Sequence, residues 1–185
     1  MVVLQHPDES RHALNTARLA VLGLQNAELL VGEIFPQLET LIASSPSTML
    51  LFPAGPDEAV DPVPESTRTG GSPLLIVPDG TWRKARAIVR ANPVLAGLPR
   101  LSLPEGAPSA YRIRKAPGLA ALSTVEAIVR ALEALEPDGK FADLLRPFHV
   151  LVEQQIEAMG EEVYRRNYVP PKTGLQRCAD DDLNQ

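Results

Sequence analysis

The chain has 185 residues, 44% hydrophobic and 22% charged, the balance of one soluble domain of ordinary size. Its 18 basic and 23 acidic residues leave a net charge of -5, which excludes a uniformly basic nucleic-acid coat, and aromatics at 4% are too few for a base-stacking sheet. The lone cysteine, Cys178, can form neither an internal disulfide nor a cysteine-rich zinc site. No apolar run nears the roughly 18 residues of a membrane span, and the first residues lack the basic and apolar regions of a signal peptide, so a cytoplasmic domain is expected.

Val2-Val3-Leu4, ending before Pro7, reads as a short buried strand. A helix follows over about Ala13 to Leu24, its apolar stripe carried by Leu14, Ala17, Val21 and Leu24. Leu29 to Phe35 reads as a second strand, Gln37 to Ala43 as a short helix, and Met49 to Phe52 as a third strand stopped by Pro53. Residues 53–73 hold five prolines and three glycines, too many breakers for a regular element; a loop of that length is a functional flap or disordered. Leu74 to Val77 is the clearest strand, closed by Pro78. A helix from Thr81 to Ala91 follows and ends at Asn92-Pro93. Leu98 to Leu103 is a further strand candidate, and residues 104–121 form a Gly/Pro-rich connection around Tyr111-Arg112-Ile113-Arg114. The helix from Ser123 to Leu135 carries a capping-box signature, Ser123 with Glu126, and an apolar face of Val125, Ile128, Val129 and Leu132. A last helical region spans about Gly139 to Tyr164, restarted at Pro147, before a polar tail over 169–185.

Short buried strands alternating with helices predict an α/β domain with a mostly parallel sheet. Ligands of such sheets bind beyond the carboxyl ends of the strands. That rule singles out His6, Pro53 and the segment Pro78-Asp79-Gly80. Asp79, at a strand end and a helix start, is either an N-cap or a catalytic carboxylate. Trp82, with Ala85, Ile88 and Val89 on the same helical face, is either core or a stacking platform. His6 has an alternative as a hydrogen-bonded structural residue and Ser123 and Glu126 as the capping box itself, while Asn15 and Thr16 are helix-start residues first and ligand contacts second.

Asp79-Gly80-Thr81-Trp82 resembles the Asp-x-Thr-Trp signature of the DTW domain family. The resemblance extends in order through Leu4-Gln5-His6-Pro7-Asp8-Glu9, Asn15-Thr16 with Leu19, Leu51-Phe52-Pro53, Leu98-Pro99-Arg100, Tyr111 to Arg114 and Leu122 to Ala127, covering residues 3–168. It implies a SPOUT-like α/β fold with a C-terminal knot over 1–168. It also implies S-adenosylmethionine as co-substrate and transfer of its 3-amino-3-carboxypropyl group to N3 of a uridine in tRNA, with release of methylthioadenosine. Family members commonly carry a cysteine cluster, a zinc site, ahead of the first strand; this sequence begins at that strand, and no metal is expected.

Uridine N3–H is a weak acid, so transfer needs a proton acceptor, and Asp79, partly buried, is the candidate base. Thr81 and Trp82 complete the catalytic motif, Trp82 burying the carboxylate or stacking on adenine or the target base. The candidate cofactor-binding residues are His6, Pro53, Pro78, Asp79, Leu122, Ser123, Thr124 and Glu126, with the helix start at Ser123-Thr124 offered to the methionyl carboxylate. From Asp79 to Lys115 there are eight basic residues against two acids, a net of +6 that leaves -11 elsewhere. Arg83, Arg86 and Arg90 recur at helical spacing, and with Lys84, Arg100, Tyr111, Arg112 and Arg114 they form the candidate tRNA face. The competing functions are a SPOUT-like RNA methyltransferase, an aminocarboxypropyltransferase acting on rRNA, and a non-catalytic RNA- or nucleotide-binding module.

Overall fold

The computed structural model describes residues 1–12, 14–53, 73–103, 107–113 and 122–169. Residues 54–72 of the predicted flap, most of the connection 104–121 including Arg114, and the tail from residue 170 with Cys178 lie outside these residues.

Five strands, β1 (Val2–Gln5), β2 (Glu28–Val31), β3 (Thr48–Leu51), β4 (Leu74–Asp79) and β5 (Arg100–Leu101), form one sheet in the order β2-β1-β4-β3-β5. Every pairing is parallel. Among the described residues there are six α-helices: α1 (Thr16–Leu22), α2 (Leu38–Ala43), α3 (Trp82–Ala91), α4 (Thr124–Leu135), α5 (Arg146–Met159) and α6 (Glu161–Tyr168).

The sheet is covered on both faces, which is why its central strands read as unbroken apolar runs rather than alternating ones. Successive strand residues point to opposite faces, and the core divides accordingly. Val3, Met49, Leu75, Val77 and Leu101 pack with Leu14, Ala17 and Ala20 around α1, with Val125, Ile128 and Ala131 of α4, and with Phe148 and Val152 of α5. On the other face Val2, Leu4, Leu50 and Ile76 meet Phe35, Leu38 of α2, Ile88 of α3 and Leu95. The result is a three-layer α/β sandwich, in agreement with the expected class.

Several boundaries differ from the sequence reading. Strand β4 is not closed by Pro78: it continues to Asp79, with Leu4 opposite Pro78 and Gln5 opposite Asp79. The Asp79 carbonyl accepts from the His6 N–H on the β1 side, so Pro78, one residue earlier, turns its missing N–H toward β3. The last β3–β4 pair is Leu50 with Ile76, so no ladder bond is lost there. Strand β2 stops at Val31 instead of reaching Phe35. Asn92 claims the backbone that follows: its Oδ1 accepts from Phe35 N at 2.8 Å, and its Nδ2 donates to the carbonyls of Glu33 and Ile88, each at 2.8 Å. Helix α1 is shorter than its apolar stripe, beginning after Asn15, whose side chain accepts from Arg18 N. The strand sought over 98–103 reduces to Arg100–Leu101. The last helical region divides at Gly160, whose φ of +84° suits glycine, into α5 with Pro147 in its first turn and α6.

Candidate active site

The chain leaves β1 toward β2 at one edge of the sheet and leaves β4 toward β5 at the other. Neighbouring parallel strands whose exits diverge leave a crevice between their carboxyl ends, the usual ligand position in open α/β sheets. Gln5 and His6 end one strand there, and Asp79 and Gly80 end the other.

Asp79 is only 6% exposed. Strand alternation puts its side chain on the same face as Leu75 and Val77, beneath the starts of α1 and α4, whereas α3 covers the opposite face. It is therefore not the N-cap of the helix that follows; Thr81 fills that role, accepting from Lys84 N. One Asp79 oxygen, Oδ2, accepts from Gln5 Nε2 at 2.8 Å, and the other, Oδ1, accepts from the Thr124 hydroxyl at the first turn of α4. Strand register and the start of α4 thus converge on one carboxylate.

Gly80 makes the turn out of β4 with φ +148°, a conformation that favours glycine. Trp82 is 45% exposed, so it lies at the surface and not in the core. Its ring meets Phe52, from the end of β3, edge to face at 6.1 Å. The Arg100 guanidinium lies 5.7 Å from the centre of the Phe52 ring and donates to the Pro53 carbonyl at 3.0 Å. Residues from the ends of β3 and β4 and the start of β5 therefore form one aromatic and cationic ledge.

The other candidate ligands divide by what already holds them. Glu126 is 7% exposed, and its carboxylate accepts from four donors: Ser123 N at 2.8 Å, Ser123 Oγ at 2.6 Å, Ser109 Oγ at 2.6 Å and Ala110 N at 2.7 Å. The capping box is present, and the same carboxylate ties the 107–113 segment to α4. Leu122 precedes this cap, half-buried. His6 caps the 3-10 turn Pro7–Glu9 through Nδ1, and its Nε2 is 3.3 Å from Glu33. Lys84 reaches back to that turn, 2.7 Å from Glu9 and 3.3 Å from Asp8. The hydrogen bond to Glu9 holds its ammonium pKa above the ordinary lysine value.

Among the candidate RNA contacts, Arg83, Arg86 and Arg90 are exposed along α3, and none has an ion-pair partner among the described residues. Lys84 is occupied as described, and Arg112 is paired with Glu153 of α5. Tyr111 packs edge to face on Phe148 at 5.5 Å. Among the described residues no group of three or more His, Cys, Asp or Glu side chains could hold a metal ion. The residue that sequence reasoning missed is Gln5. Its signals are polarity at the end of an apolar strand and a place in the Leu4 to Glu9 block; its contact with Asp79, 74 positions away, is not local.

A family model for the DTW domain matches residues 1–156. The chain is 34% identical to tRNA-uridine aminocarboxypropyltransferase 2 of Drosophila melanogaster, covering 93% of this chain and 72% of that protein. It is 30% identical to tRNA-uridine aminocarboxypropyltransferase A of Arabidopsis thaliana, over 76% of this chain and 64% of that one. For tRNA-uridine aminocarboxypropyltransferase 2 of Mus musculus the identity is 27%, over 93% of this chain and 61% of the mouse protein. No solved structure matches the chain significantly. With a matching model over most of its length and a motif that forms the carboxyl edge of its central strand, the chain belongs to the DTW domain family.

Proposed function

We propose that this protein transfers the 3-amino-3-carboxypropyl group of S-adenosylmethionine to N3 of a uridine in tRNA, releasing methylthioadenosine. The names of the fly, plant and mouse relatives support the reaction. The observation that carries it is the buried Asp79 carboxylate at the β1–β4 crevice, beside a motif that exposes Trp82.

The residues suit both reactants: an open indole face for a heterocycle, and a carboxylate for an acidic N–H. S-adenosylmethionine supplies an electrophilic carbon on its sulfonium, so a C–S bond breaks as the N3–C bond forms. Asp79 accepts the N3 proton. A carboxylate offers about four lone-pair directions, so an oxygen already bonded to Gln5 or Thr124 can still take a proton. At α4, Ser123 N and Oγ belong to Glu126, which leaves the backbone N–H groups of Thr124 and Val125 as donors for the methionyl carboxylate. Arg83, Arg86 and Arg90 engage tRNA phosphates. This reading also takes the fold as SPOUT-like with a C-terminal knot; the insertion of β4 between β1 and β3 and the packing of α4 and α5 on one face support it.

The test is incubation with labelled S-adenosylmethionine and unmodified tRNA, followed by nucleoside mass spectrometry. Aminocarboxypropyluridine with methylthioadenosine is expected; S-adenosylhomocysteine would instead reveal a methyltransferase. Asp79→Asn should abolish transfer while calorimetry shows S-adenosylmethionine binding nearly unchanged. Full activity in that variant would remove Asp79 as the base.

A further inference from the structure

Gln5 is 1% exposed at the carboxyl end of β1, and its side chain is fully engaged. Its Nε2 donates to Asp79 Oδ2 at 2.8 Å and to Asn15 Oδ1 at 2.9 Å, and its Oε1 accepts from Asn15 Nδ2 at 3.1 Å. A carboxamide can be turned over, exchanging donor and acceptor, so something must decide which end faces Asp79.

The acceptor-only Asp79 carboxylate selects the N–H end, and the start of α1 enforces the same choice. The Arg18 backbone N–H can only donate, and Asn15 Oδ1 accepts it at 3.0 Å as the helix cap. Asn15 must then turn Nδ2 the other way, where it donates to Gln5 Oε1 and lies 3.5 Å from the Glu9 carbonyl. With its oxygen committed to Asn15, Gln5 has only N–H left for Asp79. The polarity of a backbone amide in α1 is thereby carried through two side chains to the carboxylate on β4.

We infer that Gln5 and Asn15 are positioning residues for the Asp79 carboxylate, with the α1 cap holding the Gln5 carboxamide in the direction that the carboxylate requires. The inference rests on the proposed role of Asp79 as proton acceptor. It assigns Gln5 two tasks: holding Oδ2 in place and keeping a donor, never an acceptor, against it. Inversion of the amide would set an oxygen against a carboxylate oxygen at hydrogen-bond distance, which is repulsive.

Two substitutions test this in the intact protein. Asn15→Asp keeps the Oδ1 acceptor that caps α1 and removes the Nδ2 donor. Gln5 Nε2 still has two acceptors, but Oε1 now faces a carboxylate oxygen in place of its donor, so the carboxamide is pushed out of line and loosens its hold on Asp79 Oδ2. The expected result is a kcat lower by about tenfold or more, with KM for tRNA and S-adenosylmethionine little changed and Tm close to wild type. Gln5→Glu places a second carboxyl against Asp79, and the two share a proton. The acidic limb of the kcat profile should move to higher pH by about one unit or more, and the Asp79 carboxyl titration, followed by carbon NMR in the free protein, should move with it.

Wild-type kcat and pH profile in Asn15→Asp and Gln5→Glu, alongside an inactive Asp79→Asn, would overturn the positioning roles and leave the base standing. An active Asp79→Asn would remove the base, and the NMR titration would still report whether Gln5 and Asn15 govern the carboxylate. Equal loss of Tm and kcat in Asn15→Asp, with an unmoved Asp79 titration, would show a helix cap alone and overturn the inference.

Discussion

At the scale of single residues, the site depends on a glycine and on side chains whose partners are distant in sequence. Gly80 turns the chain from β4 into α3 at φ +148°, and a Cβ built there would lie 3.0 Å from Lys84 Cβ and 3.6 Å from Glu9 Cγ and His6 Cβ. Gly80→Ala therefore combines backbone strain with a close contact against the following helix. We expect a loss of about 1–3 kcal/mol in denaturant unfolding, together with reduced transfer. Unchanged stability would mean that the junction relaxes freely and that glycine is not required there. Gly80 fills the variable position of the Asp-x-Thr-Trp signature, so the motif does not mark it; the conformation that favours glycine there is seen only in the structure.

At the scale of elements, α3 separates its basic residues into two kinds. Lys84 is a tie, joining the helix to the 3-10 turn after β1 through Glu9 and Asp8. Its folded pKa lies above the ordinary value of 10.5, so its contribution to stability is complete below that value and is lost as pH rises through the folded pKa. Lys84→Met should be less stable than wild type near neutrality by about 1 kcal/mol, and the two unfolding curves should converge above roughly pH 10.5. A difference that persists undiminished in alkali would assign the effect to packing of the lysine stem.

Arg83, Arg86 and Arg90 are the other kind: exposed, without ion-pair partners among the described residues, and on the helix that opens with the motif. Arg83→Glu with Arg86→Glu should weaken tRNA binding strongly at low salt and flatten the log–log salt dependence by about 1–2 units, while Lys84→Met should leave the slope nearly unchanged. Equal slopes for wild type and the double variant would take α3 out of the RNA face. The helix and its basic spacing could be read from sequence because they are local. Which of its cations is already neutralised could not, because Glu9 lies 75 positions from Lys84.

At the scale of the whole molecule, the class and most elements follow from short-range pattern. Buried apolar runs of strand length, the Ser123–Glu126 cap and the proline breaks locate strands and helices before any contact is known. The errors fall where tertiary partners intervene: Pro78 stays within a central strand because β3 no longer pairs beside it, and β2 stops because Asn92 takes up the backbone beyond it. The charge of -5 becomes compatible with RNA once Arg83, Arg86 and Arg90 are found exposed together along α3, within the +6 window, with a net of -11 elsewhere in the chain.

An α/β domain, its motif and its local caps follow from the order of residues alone, because periodicity, capping and breaker chemistry act over a few positions. Which side chains meet Asp79 was settled by the tertiary structure. Strand order sets Gln5 opposite it, and the packing of α1 and α4 on one face brings Asn15 to Gln5 and Thr124 to the carboxylate. Those contacts depend on how parallel strands far apart in sequence are ordered in the sheet, and no local pattern of residues encodes that order directly.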